Sequence, residues 1–355
     1  MSYLMISPSR IAASGPPSAA SGAPQGKGPT PAAAQHVFTM GCVDSWWGGQ
    51  GYIIQRLAGA VNYDTGGAIS FSIHPSGELG DEPVIMEGLK DGTIDMAALS
   101  TTKLAPLTKV FTVLDVPFMF AAPADMLDFL YASPTKHTAA FEAMLEQAGK
   151  DCKFHILTVS MTGRRDFVSR KPVTSVDDIV GLKMRLMANP VHLDAWEAAG
   201  AHTMTLPWGE VYTSLQTGTI DAAEMTGTDY LEESFGEVAP YWMGTNHITF
   251  TSFVAISNKA WDSLASEQQS ILKADAVSDG YLDSNMFMGL SDSLLRQIKQ
   301  SAKVMTFPTD EELTKLKEKV LPAMLDKYSG DIGMDVIAAL GEKDAVINKW
   351  YSSHK

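Results

Sequence analysis

The stretch Tyr212-Thr-Ser-Leu-Gln-Thr-Gly-Thr-Ile-Asp221 decides the fold, because the earlier stretch Glu87-Gly-Leu-Lys-Asp-Gly-Thr-Ile-Asp95 nearly repeats it. Each stretch predicts an amphipathic helix that stops at a glycine, Gly92 or Gly218, and is followed at once by a strand. The two glycines are 126 positions apart, which is about the length of one lobe. The repeat therefore predicts an α/β chain with two lobes.

Length and charge limit the partners that this chain can have. With 355 residues, of which 45% are hydrophobic, the chain is long enough for two cores. The net charge is −14, and the first 35 residues contain Arg10 and Lys27 but no acid, so residues 36–355 carry −16. This acidity argues against nucleic acid or an anionic membrane surface as a partner. An anion can still bind where a few cationic side chains make a local positive pocket.

Residues 1–35 are rich in Ala, Ser, Pro and Gly, and they predict a disordered leader. They lack the apolar stretch of about 7–15 residues that a secretory signal contains. No apolar run in the sequence approaches the roughly 18 residues of a membrane-spanning helix. Cys42 and Cys152 are too few for a disulfide framework or a four-ligand zinc site, so two buried thiols are expected.

Further elements surround the repeat. A Ser266-Glu-Gln-Gln269 capping box predicts a helix that reaches about Lys299, spans roughly 50 Å and can brace both lobes. We expect this helix to bend at Gly280 or Gly289. Asn189-Pro190 predicts another helix start, which ends at Gly200. Strands are predicted at His36–Cys42, Ala68–His74, Phe154–Ser160 and Leu182–Leu186, with a further segment at Arg165–Arg170.

Motifs of catalysis are mostly missing. The sequence contains no His-Glu-x-x-His helix, no Gly-x-Ser-x-Gly turn and no Cys-x-x-Cys pair, and a glycine-rich run at Gly22–Gly28 has no strand before it. The histidines are scattered singly, and none receives a role. We therefore predict no catalytic residue, no metal and no cofactor.

Two arginines are the best candidates for binding. Arg165 and Arg185 each present a planar fork that matches the oxygens of a carboxylate or sulfonate. A surface cation is the ordinary alternative for each of them. Trp46 and Trp47 follow the first predicted strand, and Trp208 precedes the repeated helix, where indoles can wall a ligand crevice, although a core position is the alternative for each.

Several motifs, in order, resemble the C4-dicarboxylate-type substrate-binding proteins of tripartite ATP-independent periplasmic (TRAP) transporters. They are Gly77-Glu-Leu-Gly80, Asp115-Val-Pro-Phe-Met-Phe120, Gly181-Leu-Lys-Met-Arg185, Asn189-Pro190, Trp208–Gly218, Ile220-Asp221, Thr245-Asn-His247 and Ser257-Asn258 with Trp261. The resemblance covers roughly residues 36–350.

The resemblance implies a two-lobed periplasmic-binding-protein-like α/β fold with crossing strands and a long bracing helix. It predicts lobe I from residues 36–161 with 251–290, and lobe II from residues 162–250 with 291–355. Arg185 resembles the arginine that clamps the ligand carboxylate, and Arg165 resembles a second arginine near it. Trp208 falls where a residue lines the cleft.

One motif departs from the family. Many members have Asp-Gly-x-Glu-Asn-Pro, whereas this chain has Asp221-Ala-Ala-Glu-Met-Thr-Gly227, which puts Met225 in the place of a ligand-binding Asn. Glu224 and Met225 are thus predicted at the site, and Met225 favours a cargo with a less hydroxylated body than a sugar acid. Monocarboxylates, 2-oxo acids, dicarboxylates, aromatic acids and sulfonates all stay open.

The resemblance implies that the protein binds a small organic anion between its lobes and delivers it to a TRAP membrane permease. A periplasmic location follows from the family. Two alternatives remain at this stage, a ligand-sensing receptor and an enzyme that acts on a small carboxylate. The enzyme would need a general acid or base beside the arginines, and no motif indicates one.

Overall fold

The structure is a computed structural model that describes residues 34–355. The strands are β1 His36–Gly41, β2 Ile69–His74, β3 Met96–Ser100, β4 Tyr131–Ser133, β5 Lys136–His137, β6 Phe154–Ser169, β7 Lys183–Leu186, β8 His202–Thr205, β9 Ala222–Thr226, β10 Tyr241–Ser257 and β11 Val304–Thr306. The α-helices are α1 Gly49–Asp64, α2 Glu82–Asp91, α3 Thr112–Asp115, α4 Pro123–Leu130, α5 Ala139–Cys152, α6 Pro190–Ala199, α7 Trp208–Thr217, α8 Gly227–Glu232, α9 Asn258–Ser263, α10 Ser266–Ser301, α11 Asp310–Ile332, α12 Met334–Gly341 and α13 Ala345–His354.

One mixed sheet runs through the molecule in the order β2-β1-β3-β10-β6-β9-β7-β8, and β11 pairs with β10. Strands β1, β2 and β3 are parallel to one another, as are β7, β8 and β9. The long strands β6 and β10 lie antiparallel between these two groups and pair with each other along most of their length. They are the crossing strands that the resemblance implied.

The two repeated turns form as predicted. Gly92 and Gly218 have φ of 73° and 80°, the left-handed conformation in which a glycine ends a helix without steric strain. Each turn leads into a buried parallel strand, β3 after Gly92 and β9 after Gly218. Two equivalent helix-to-strand units therefore stand on opposite sides of the β6–β10 pair.

Three apolar clusters fill the interior. One lies under β1 and α1 around Met40 and Ile54, and one lies under β9 and α7 around Val211 and Trp242. The largest includes buried side chains of α5, α6 and α11. Cys42 and Cys152 are buried free thiols, as expected. The C-terminal helices bury side chains such as Leu321 in the largest cluster, so they belong to the core.

Helix α10 has 36 residues and no interruption, which confirms the long bracing helix. Its N-cap is Ala265 rather than Ser266, and the backbone N–H of Ala265 donates to Gln268 Oε1 at 2.9 Å. The helix contacts the crossing strand β6, because the hydroxyl oxygen of Ser284 accepts from the backbone N–H of Met161 at 2.9 Å. Farther along, Ile298 packs with the cluster under β9.

Several boundaries differ from the sequence prediction. The segments 154–160 and 165–170 form the single strand β6, because both pair with β10. The predicted leader lies outside the described residues except for Ala34 and Gln35, and Gln35 donates its backbone N–H to Ala68 O at 2.9 Å. Among residues 34–355, no helix is long and apolar enough to cross a bilayer.

Candidate functional site

A small cavity lies where strand ends from the two sides of the sheet meet. Its lining residues are Val43, Asp44, Asp81, Glu82, Ser100, Lys103, Arg165, Arg185, Met187, Trp208, Asp229 and Phe250. Most of them lie in the last residues of the parallel strands β1, β3, β7, β8 and β9 or just after them, which is where open α/β sheets bind ligands. The cavity measures about 30 Å³, roughly the volume of one water molecule, so an organic acid enters only if its walls move apart.

Arg185 is the cation with the clearest unused binding capacity. Its side chain is 1% exposed and lies 5.7 Å from the ring centre of Trp208. Nε and Nη2 donate to the backbone carbonyl of Leu206 at 3.0 and 2.8 Å. Nη1 is buried and has no hydrogen-bond partner in the described part of the chain. Burial, and then the nearby charge of Arg165, lowers the pKa of Arg185 to about 10, so it stays protonated at neutral pH.

Arg165 lines the same cavity but is already paired. Nη1 donates to Glu224 Oε1 at 2.9 Å, and both side chains are buried. The guanidinium also lies 4.2 Å from the ring centre of Phe250, which covers its face. The two arginines therefore do not act as an equal pair of free cations, because Glu224 neutralises one of them.

Glu224 is the centre of a buried polar cluster. Besides Arg165, it accepts from Trp196 Nε1 at 2.8 Å and lies 2.7 Å from His247 Nε2. His192 Nδ1 lies 3.1 Å from its other oxygen. Burial alone would raise the pKa of Glu224, but Arg165 and the surrounding donors outweigh it and hold the pKa well below its usual range. Glu224 is thus an ionised anchor for Arg165.

His247 connects Glu224 to Thr245 as a neutral imidazole. Burial lowers the pKa of His247 below its usual value, against the opposing effect of Glu224. A neutral ring that carries its proton on Nε2 donates to Glu224 and accepts at Nδ1 from the hydroxyl of Thr245, 2.8 Å away. Neither His192 nor His247 was assigned a role from the sequence, since neither is near Glu224 along the chain.

Two residues of the departing motif that were predicted at the site, Glu224 and Met225, do not line this cavity. Met225 is fully buried in the apolar cluster under β9 and does not line the cavity. Successive side chains of a strand point to opposite faces, so Glu224 and Met225 cannot face the same space. Glu224 lies behind Arg165 and does not line the cavity either. The preference for a less hydroxylated cargo therefore loses its support from Met225.

Of the three tryptophans predicted at the site, one lines the cavity and two do not. Trp208, which was predicted at the site, is half-buried at the start of α7 and lines the candidate cavity. Trp46 and Trp47 are 41% and 76% exposed and do not line it. Their loop instead reaches toward α8, where Ser45 donates to Glu232.

Four acidic residues of the cavity were missed by the sequence analysis. They are Asp44, Asp81, Glu82 and Asp229. Glu82 is engaged by Gln50 Nε2 at 3.0 Å and by the backbone N–H of Ser100 at 2.7 Å. Their positions were an available signal, because Asp44 and Asp229 each follow the end of a parallel strand, β1 and β9 respectively, by three residues.

The sequence matches the DctP profile, bacterial extracellular solute-binding protein family 7, over residues 50–331. The chain belongs to this family. It is 29% identical over 284 residues to the 2,3-diketo-L-gulonate-binding periplasmic protein YiaO of Escherichia coli, and the match covers 78% of this chain and 83% of YiaO. It is 29% identical over 278 residues to the ectoine-binding periplasmic protein TeaA of Halomonas elongata, covering 75% and 78%.

A solved structure supports the same assignment. The family 7 chain is similar to a TRAP periplasmic solute-binding protein from Ochrobactrum anthropi, with 28% identity and a TM-score of 0.73. The match covers 90% of this chain and 97% of that one, whose C-terminus is bound in its ligand-binding pocket. The resemblance to TRAP solute-binding proteins and the two-lobed α/β fold are thereby confirmed.

Proposed function

We propose that this chain binds a small organic acid in the cavity between its lobes, with the ligand carboxylate on Arg185. The observation that carries the proposal is that Arg185 lines the cavity while its buried Nη1 has no hydrogen-bond partner within residues 34–355. A buried donor without a partner is costly, and a carboxylate oxygen would satisfy it through a charge-assisted hydrogen bond. The cargoes named for YiaO and TeaA, 2,3-diketo-L-gulonate and ectoine, both contain a carboxylate.

Binding in this position requires the lobes to move. We infer that residues 36–161 with 251–290 form one lobe, and residues 162–250 with 291–355 the other. Asp44 and Lys103 then line the cavity from the first lobe, and Arg185, Trp208 and Asp229 from the second. The two lobes would open to admit the ligand and close around it, which removes water and strengthens the contact with Arg185.

The proposal includes delivery of the ligand to a TRAP permease from the periplasmic side. Membership in a family of extracellular solute-binding proteins supports this role. Both named relatives are periplasmic proteins, which supports the location. The Arg185 contact serves binding rather than chemistry, and we propose no catalytic step.

Substitution of Arg185 tests the proposal directly. A thermal-shift screen of organic acids first identifies a ligand, since a compound that binds only the folded state raises Tm. We then expect Arg185→Ala to weaken binding of that ligand about 100-fold in calorimetry. The free protein should keep its stability, because the substitution removes a buried charge that has no carboxylate partner.

Arg164→Ala is the matched control, because it removes the adjacent cation of β6, which does not line the cavity. Its affinity should stay within about twofold of the unmodified protein. Equal affinities for the Arg185 and Arg164 variants would contradict the proposed role of Arg185.

A further inference from the structure

The charges around the cavity are unbalanced toward negative. Three cations line it, Lys103, Arg165 and Arg185, against the four acids Asp44, Asp81, Glu82 and Asp229. Glu224 adds a fifth negative charge directly behind Arg165. Three positive charges against five negative charges leave a formal charge of −2. A dicarboxylate bound here would raise the local excess to −4, in a space that closure separates from water.

Most of these charges already have partners. Arg165 is paired with Glu224 at 2.9 Å, and Lys103 lies 3.9 Å from Glu82. Asp81 accepts from the backbone N–H of Glu82 at the start of α2. Arg185 on one side, and Asp44, Asp81 and Asp229 on the other, are the charged groups of the cavity without an ion-pair partner in residues 34–355. Asp81 serves as the N-cap of α2, which leaves Asp44 and Asp229 as the two acids of this group without that structural role.

Asp44 and Asp229 each keep one carboxylate oxygen free. The backbone N–H of Gln50 donates to Asp44 Oδ2 at 2.9 Å, and that of Thr226 donates to Asp229 Oδ2 at 3.4 Å. Within the described residues, Oδ1 of neither aspartate takes part in a hydrogen bond. These backbone contacts fix both side chains at the cavity and leave a second oxygen for a ligand.

The two aspartates disfavour each other's charge. Burial raises the pKa of Asp44 well above its usual value, and the negative charge of Asp229 raises it further. Burial also raises the pKa of Asp229, although Thr226, Arg165 and Arg185 oppose the increase. Such a pair is stable in a closed site only when a proton or a cation lies between the two groups.

We propose that the ligand is zwitterionic, with its carboxylate on Arg185 and a protonated amine or amidinium group on Asp44 and Asp229. This inference rests on the proposed function and adds the second half of the ligand. Arg185, whose buried Nη1 has no hydrogen-bond partner among the described residues, lines the same cavity as Asp44 and Asp229, so the three side chains border a single binding space. A zwitterion supplies an anion for Arg185 and a cation for the two aspartates. Because it has no net charge, it does not add to the negative excess of the cavity.

Matched pairs of ligands test the inference on the intact protein. The probes are 4-aminobutyrate against succinate and 5-aminovalerate against glutarate, together with L-proline, all measured by thermal shift and calorimetry. Within a pair the members have similar length, and a protonated aminomethyl group replaces one carboxylate. We expect the amino acid of the best-binding pair to bind at least tenfold more tightly than its dicarboxylate.

Charge-removing variants assign that preference to the aspartates. Asp44→Asn and Asp229→Asn keep the oxygen that accepts from the backbone N–H, and each should weaken binding of the amino acid about tenfold. The same variants should strengthen binding of the dicarboxylate. Asp128→Asn, on the exposed side of α4, removes an equal charge far from the cavity and should change neither affinity.

Two results would overturn the inference and leave the proposed function intact. One is Arg185-dependent binding of a dicarboxylate that equals or exceeds that of its amino-acid partner. The other is dicarboxylate binding that appears only after Ca²⁺ is added, which would mean that a separate metal ion replaces the cationic group of the ligand. Absence of Arg185-dependent binding by every probe would instead contradict the proposed function. The ligand comparison needs no variant, so it stands even if an Asn variant fails to fold.

Discussion

At the scale of single residues, the two arginines show that burial and neighbours decide what a charge does. Arg165 has a carboxylate 2.9 Å away and is held by Glu224, which three further side chains surround. Arg185 has a backbone carbonyl and an aromatic face, which leave Nη1 without a hydrogen-bond partner among residues 34–355. The carboxylate neutralises the charge of Arg165, whereas among the described residues Arg185 keeps an unpaired positive charge that a ligand carboxylate can bind.

The Glu224 anchor leads to a stability prediction. Glu224→Gln keeps the size of the side chain and one of its oxygens, but it leaves the buried cation of Arg165 without a carboxylate. This loss should lower the free energy of unfolding by about 3–5 kcal/mol. Urea unfolding at pH 7 measures this loss. The double variant Arg165→Met with Glu224→Gln should lose less than the single variant, because no unpaired charge remains. A single-variant loss below about 1 kcal/mol would mean that Glu224 is not the main partner of Arg165.

The sequence predicted part of this site and missed part of it, for physical reasons. Arg185 and Trp208 were found because they stand at a strand end and a helix start, which local patterns reveal. The pairing of Arg165 with Glu224 depends on the register of β6 with β9, across 59 residues, and no local pattern reports a register. Met225 was placed on the wrong face, because a one-residue shift along a strand reverses the direction of its side chain.

At the scale of elements, two glycines of α10 have different surroundings: Gly280 lies in a tightly packed contact, whereas Gly289 lies in open space. A Cβ on Gly280 would lie 2.4 Å from Tyr131 Oη and 2.5 Å from Thr158 Oγ1. A Cβ on Gly289 would meet no atom within 4 Å. The helix continues past both glycines, so neither of them ends it. Gly280 lets α10 approach β6 closely, which positions the brace against the crossing strands.

The two glycines form a matched test. Gly280→Ala should destabilise the protein by about 1–3 kcal/mol, since the new methyl group overpacks a filled contact. Gly289→Ala should stabilise it by up to about 1 kcal/mol, because alanine favours the helix and the position is open. Thermal unfolding of both variants measures the difference. A Gly280 variant as stable as the Gly289 variant would show that α10 does not need this close approach.

Element ends were predicted better than element lengths. The glycine stops at Gly92, Gly200 and Gly218 and the Asn189 cap depend on a few adjacent residues, and all four form. The length of β6 depends on its pairing with β10, so two short predicted segments became one strand of 16 residues. Local chemistry fixes where a chain turns, whereas distant partners fix how far a strand continues.

At the scale of the whole molecule, buried polar contacts connect regions that we assign to different lobes. Asn189 Nδ2 donates to Thr102 O at 3.0 Å and to Asp115 Oδ2 at 2.8 Å. By the proposed division, Asn189 belongs to the second lobe, and Thr102 and Asp115 belong to the first. If the lobes part to admit a ligand, these hydrogen bonds must break, so they favour the closed form.

Asn189→Ser separates the two roles of this residue. Serine can still cap α6 by accepting from Val191, as Asn189 Oδ1 does at 2.8 Å, but it cannot supply both donated bonds. Loss of about 1–2 kcal/mol from the closed form should raise the ligand dissociation rate about tenfold and leave the association rate within threefold. Stopped-flow measurements with the ligand found in the screen test this, and Thr138→Ser, a cap change at the start of α5, is the control. A lower Tm with an unchanged dissociation rate would show that Asn189, Thr102 and Asp115 move as one rigid unit, and the proposed lobe boundary at residues 161 and 162 would have to be redrawn.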